Sequence, residues 1–129
     1  MLVPFEHTVD EPELRRLLLD HFPELANEIE DDSGLVHLEM SALERLANRS
    51  IKSGDISTLK RTYEFVGNMA RHLSEVHPDV VNAIHVSFLE GLHFANKNHG
   101  EKAKALLPAV LLKMWNAQMD HNRKIGWMK

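Results

Sequence analysis

Nine histidines in 129 residues are the side chains best able to do chemistry here, because histidine both ligates metals and moves protons near neutral pH. A metal held between helices needs its ligands on one face, as His-x-x-x-His or as paired Glu-x-x-His units with two further glutamates. His72 and His77 lie five apart with Pro78 next, so nothing places them on a common face. His85 and His93 are eight apart, about 80° around a helix that turns ~100° per residue. Glu90-Gly-Leu-His93 is a single Glu-x-x-His with no second copy. The histidines therefore read as structural or solvated, and neither a metal nor a cofactor is implied. Cysteine is absent, which excludes disulfides, iron–sulfur clusters and thiol nucleophiles. No Gly-x-Ser-x-Gly occurs, and Ser53-Gly54-Asp55 and Gly91 stand apart from any phosphate-binding glycine loop. The expectation is a protein that is not an enzyme. The alternative is a small helical metal-binding protein or enzyme working through its histidine-rich helices.

Charge is distributed less evenly than the net value of −4 suggests. Residues 1–40 carry eleven acids against Arg15 and Arg16, whereas residues 41–129 carry eight acids and thirteen bases. Asp20, Glu24 and Glu28 recur every four residues, followed by Glu30, Asp31 and Asp32. Like charges four apart on a helix cost a few tenths of a kcal/mol per pair. Acids also belong at a helix N-terminus, which accounts for Asp10, Glu11 and Glu13 but not for Glu28 to Asp32. Two explanations stay open: the basic tail (Arg123, Lys124, Lys129) neutralises the segment at home, or a cationic partner does. Direct nucleic-acid binding is not expected of so anionic a chain, although Lys97, Lys102, Lys104 and Lys113 form a loose basic region.

The elements that must position these residues are helical. Hydrophobic content of 43% and charged content of 26% suit one globular domain over residues 1–129. No run approaches the ~20 apolar residues that span a bilayer, and Met1 to His7 lacks the pattern of a secretory signal. A cytoplasmic protein with no membrane association is expected. Residues 1–9 read as an irregular lead-in. Asp10 should cap a first helix, with Glu13 completing a capping box and Leu14, Leu17, Leu18 and Phe22 forming its apolar stripe. Pro23 interrupts that stripe and opens a short second helix. Leu35 to Met40 reads as a helix start rather than a strand, leading to a helix that ends at Gly54. Asp55 caps the next, in which Ile56, Leu59, Tyr63, Val66, Ala70 and Leu73 keep helical spacing as far as His77-Pro78. Pro78 starts a helix carrying Val81, Ile84, Phe88, Leu92 and Ala95. A short helix over 101–106 and a longer one after Pro108 complete the chain, with 122–129 a frayed basic end. The fold class is all-α, with five to seven helices in antiparallel pairs.

Five segments carry a resemblance: Leu19-Asp-His-Phe-Pro-Glu-Leu25, Ser53-Gly-Asp55, Tyr63-Glu-Phe-Val66, Val86-Ser-Phe-Leu-Glu-Gly-Leu92 and Leu106-Leu-Pro108. In this order they are similar to a family of small all-helical bacterial proteins of uncharacterised domain type. Many of these are found among the immunity genes of polymorphic toxin systems and contact-dependent inhibition. The resemblance covers roughly residues 14–120. The chain departs from the pattern at Leu107, which stands directly before Pro108 where relatives have Leu-Gly-Pro, and in a last helix richer in Met and Trp. The resemblance implies an immunity protein that binds a cognate toxin, expected to be a basic nuclease domain, and acts as a monomer or homodimer. Asp20, Glu24, Glu28, Glu30, Asp31 and Asp32 would then face the toxin, with Trp127 as an aromatic anchor.

Overall fold

The computed structural model describes the backbone of residues 8–31 and 34–127, and the side chains of 8–30 and 34–123. Helix α1 (Glu11–His21) starts where Asp10 accepts a hydrogen bond from the Glu13 N–H at 3.1 Å, satisfying one of the donors a helix N-terminus leaves orphaned. It buries Leu14 and Leu18, and Phe22 follows them into the core. Pro23 opens a 3₁₀ turn (Pro23–Leu25) that runs into α2 (Ala26–Asp31). Helix α3 (Val36–Ser53) is the central element and packs against α1, α2, α4 and α5. It ends at Gly54, whose φ of 74° is the left-handed conformation that glycine adopts without strain. Asp55 then caps α4 (Ile56–Ala70), so α3 and α4 form a helical hairpin.

Helix α4 stops at Ala70, earlier than its apolar spacing predicts. Its continuation is a 3₁₀ turn (Leu73–Glu75) and an extended Val76. The reason lies at the other end of the chain. Val9 donates from its N–H to the Glu75 carbonyl at 2.8 Å and accepts from the His77 N–H at 2.9 Å. This parallel bridge between Val9 and Val76 buries Val9 completely, and Val76 cannot make it from inside a helix. The end of the expected irregular lead-in is therefore docked.

Pro78 opens α5 (Pro78–Ala83), with the His77 ring accepting from the Asp79 N–H at 3.0 Å. The helix continues as a π-helical turn (Ile84–Leu89) that closes where the Glu90 N–H meets the His85 carbonyl. The wider turn buries Ile84, Ser87, Phe88 and Leu89 together, and it ends the helix before Leu92 and Ala95, which the spacing assigns to it. Helices α6 (Gly100–Ala105) and α7 (Ala109–Trp127) follow. Helix α7 runs on through the segment read as a frayed tail. Hydrogen bonding between Gln118 and Asn122 and an Arg123–Asp120 ion pair support that last stretch. The fold is all-α, and the Val9–Val76 bridge is the β-type pairing found among the described residues.

One core joins these helices. Leu43, Ala47 and Ile51 of α3 meet Leu59, Tyr63 and Val66 of α4 and Val80, Ile84 and Phe88 of the following helix. Fully burying one such aliphatic or aromatic side chain contributes about 1.5–3 kcal/mol. Tyr63 also needs a partner for its hydroxyl, which donates to the Ala103 carbonyl at 2.7 Å and so fastens α6 to α4. Burial raises the Tyr63 pKa well above the usual phenol range.

Candidate functional site

The acidic segment lies along α1, the 3₁₀ turn and α2, and the structure supplies cations for it from elsewhere in the chain. Asp20 pairs with Arg16 at 3.2 Å within α1. Glu24 receives both terminal nitrogens of Arg61 from α4, at 2.9 and 3.2 Å. Arg61 also donates to the His21 carbonyl and lies over the Phe22 ring at 5.1 Å from its centroid. The Arg61 guanidinium holds the Glu24 carboxyl below the usual carboxylate range. Glu28 meets Arg45 at 3.1 Å and Arg49 at 3.8 Å, both from α3. Glu30 is exposed and has no ion pair among the described residues. The expected alternative of neutralisation by the tail does not apply to Arg123, which pairs with Asp120 of its own helix at 3.6 Å. The side chains of Asp31, Lys124 and Trp127, together with Asp32 and Lys129, lie outside the described residues.

Beside this edge, α1 and α4 enclose a pocket of about 240 Å³ lined in part by Leu17, His21, Phe22, Phe65 and Met69. His21 and Phe22 both meet Phe65 edge-on, at 5.5 and 5.3 Å between ring centroids. Arg61 lines this pocket and pairs with Glu24, so Glu24 borders the pocket.

A second concavity of about 410 Å³ lies between α3 and the loop that follows the π-helical turn. Glu44, Arg45, Asn48, Arg49 and Lys52 form its helical wall, and His93 and Asn96 face them. Asn48 fixes the two walls together: its amide donates to the Gly91 carbonyl at 3.0 Å and accepts from the His93 N–H at 2.9 Å. The Glu44 carboxyl lies directly over Gly91, where any Cβ would collide with it. Burial raises the Glu44 pKa, opposed by the charges of His93 and Arg45.

A third feature is the carboxyl pair Glu39–Glu11. Glu39 is fully buried in the first turns of α3, and neither of its oxygens receives a hydrogen bond from a donor group. Glu11 accepts from Arg15 at 3.0 Å and from the Gly34 N–H at 3.2 Å. Burial first, then the hydrogen bond with Glu11 and that residue's charge, push the Glu39 carboxyl up to about 8. It therefore holds a proton at neutral pH, facing the Glu11 carboxylate.

The histidines are spread over several roles. His37 shares a 2.7 Å hydrogen bond with Ser87, and His72 bonds the Asn68 carbonyl at 2.9 Å. His85 is half-buried, which lowers its pKa, and its Nδ1 has no hydrogen-bond partner among the described residues. No group of three or more His, Asp or Glu side chains able to hold a metal occurs among the described residues.

The sequence reading missed Glu39, Glu44, Asn48 and the arginines that meet the acidic segment. Spacing does mark Glu39: Ala42, Leu43 and Leu46, which are three, four and seven residues on, are all buried, so its position faces inward. No such mark exists for Arg61, because its partner Glu24 is 37 residues away.

The family model described as Domain of unknown function (DUF7674) matches residues 15–122. The chain belongs to that family. The matched stretch contains the acidic edge, the α1–α4 pocket and the α3 groove. Neither the curated proteins nor the solved structures give a match.

Proposed function

We propose that the protein is a non-catalytic immunity protein that acts in the cytoplasm by binding and neutralising a cognate bacterial toxin, a basic nuclease domain, through its acidic edge. The observation that carries this reading is the juxtaposition of Glu24 with the apolar pocket between α1 and α4, through Arg61, which lines the pocket and pairs with Glu24. Interfaces draw most of their energy from a few anchor side chains seated in pockets, and charge around them steers the encounter. Here the pocket receives an apolar or aromatic anchor, and the acids receive the toxin's lysines and arginines. The internal ion pairs do not oppose this. Glu24 and Arg61 keep 40% and 42% of their side-chain surface exposed, and such pairs contribute only about 0–1 kcal/mol. A partner's cation therefore replaces Arg61 or Arg16 at small cost. Glu28 and Glu30 extend the acidic edge, and Asp31, Asp32 and Trp127 are proposed as further toxin contacts on the sequence reading alone. The resemblance to proteins of toxin–immunity systems supports the same assignment, and no described helix is long and apolar enough to cross a membrane.

The test starts from the neighbouring genes, where this reading expects a toxin domain to be encoded. The purified protein should form a complex with it and abolish its nuclease activity. Glu24→Lys with Glu28→Lys should slow association about tenfold at low salt and much less at high salt, with circular dichroism confirming the fold. An uninhibited toxin, or an association rate that ignores charge reversal at every salt concentration, overturns the proposal.

A further inference from the structure

We infer that the groove between α3 and the 91–96 loop is a second, separate binding site, built for a small hydroxyl-bearing phosphate monoester. Three cations line one side of it, because Arg45, Arg49 and Lys52 follow one another at helical spacing along α3. Two of them, Arg49 and Lys52, are weakly paired within the chain. Glu28 is shared by Arg45 at 3.1 Å and Arg49 at 3.8 Å, and the longer contact leaves the Arg49 guanidinium loosely held. Lys52 has no ion pair among the described residues. The lip of the groove thus carries positive charge directed at solvent, and guanidinium and ammonium groups are the usual partners of a phosphate oxyanion.

The opposite wall is held in place before any ligand arrives. Asn48 spends its amide on Gly91 and His93, so the loop cannot drift from the helix and the groove keeps its width. Its volume of about 410 Å³ is within the range of small-molecule sites. Glu44 sets the inner end. Its carboxyl rests over Gly91 and accepts no hydrogen bond among the described residues, although it is largely withdrawn from water. A carboxyl in that position repels a bare anion but accepts a hydrogen bond from a hydroxyl. A ligand with a phosphate at one end and a hydroxyl at the other satisfies Arg49 and Lys52 outside and Glu44 inside.

The experiment is a chemical-shift titration of the isotopically labelled full chain, at constant ionic strength, with inorganic phosphate and with glycerol phosphate. Both should give saturable shifts centred on His93 and Asn96, with glycerol phosphate binding more tightly. Arg49→Ala with Lys52→Ala, both exposed and remote from the core, should weaken both ligands about tenfold. Glu28→Gln should tighten both about two- to threefold, because it removes the carboxylate that competes for Arg49. Glu44→Gln should reduce the advantage of glycerol phosphate over phosphate. The site is overturned if the shifts do not saturate, if they spread equally over distant lysines such as Lys113, or if the double alanine variant binds as the parent does. Equal affinity for the two ligands, unchanged by Glu44→Gln, overturns the assignment of a hydroxyl-bearing ligand.

Discussion

The buried Glu39 should make the protein lose stability as the solution becomes more basic, and Glu39→Gln should remove that loss. Glu39 is 0% exposed, and what faces its carboxyl is a second carboxylate, Glu11, which is anchored by Arg15 and the Gly34 N–H. Arg15 pulls the Glu39 pKa down, but burial and Glu11 prevail, so the carboxyl titrates at about 8 instead of its ordinary 4.5. Below 4.5 the folded and unfolded chains both carry the proton, and the group's contribution to stability is fully present. Between 4.5 and 8 the unfolded chain has released the proton and the folded one retains it. Stability then falls by up to ~1.4 kcal/mol per pH unit, to a total of roughly 3–5 kcal/mol, and levels off once the folded carboxyl ionises. Glutamine has the same shape, donates an N–H to Glu11 and does not titrate. Urea unfolding followed by circular dichroism, at intervals from about pH 5 to about pH 9, should show the variant gaining on the parent with rising pH. The gain should be on the order of 3 kcal/mol at the basic end. The other carboxylates are common to both proteins and cancel in the difference. If the two stability curves run parallel across that range, Glu39 is not held neutral by its surroundings and the reasoning fails.

Two further substitutions probe other parts of the structure. Gly91→Ala places a methyl where the Glu44 carboxyl now lies, but the atom it meets is the far end of a flexible side chain. It should cost less than ~1 kcal/mol in stability while returning the Glu44 pKa toward its ordinary value, read by carbon-detected carboxyl titration; an unmoved Glu44 would show that the groove floor is not packed as described. Val9→Ala removes two buried methyls beside the Val76 bridge and should lower stability by about 1–2.5 kcal/mol in urea unfolding. A loss below ~0.5 kcal/mol would mean that the segment before α1 is not docked.

The helices were legible in the sequence wherever local chemistry decides them. Asp10 and Asp55 cap α1 and α4 because a side-chain oxygen three residues before an N–H can reach it without help from the rest of the fold. Gly54 and the prolines mark boundaries for equally local reasons. Legibility fails where a distant segment outbids the local preference. Leu73 and Val76 continue the apolar spacing of α4, yet Val76 is extended because Val9, more than sixty residues earlier, offers a strand-like partner. The π-helical turn is a similar case. Ile84, Phe88 and Leu89 are all buried in the widened turn, and the spacing of the apolar residues does not announce the extra residue.

The charged surface was legible as composition and opaque as geometry, and the difference changes what the acids are for. Counted along the sequence, Glu24 and Glu28 have no nearby cation, which leaves the basic tail or a foreign partner to neutralise them. In the fold, α3 and α4 pack against the acidic segment and deliver Arg45, Arg49 and Arg61 to it. The acids are thus available to a partner by exchange rather than by vacancy, and the arginines gain a purpose of their own. Glu28 belongs to the acidic edge and also pairs with Arg49, which lines the α3 groove. If both proposals hold, a toxin cation that captures Glu28 releases Arg49 for an anion, and an anion that draws Arg49 away bares Glu28 to the toxin. The two sites should therefore favour each other, and by linkage the effect must be equal in both directions. Exchange of one half-exposed pair limits the coupling to about 1 kcal/mol, or roughly fivefold in either affinity.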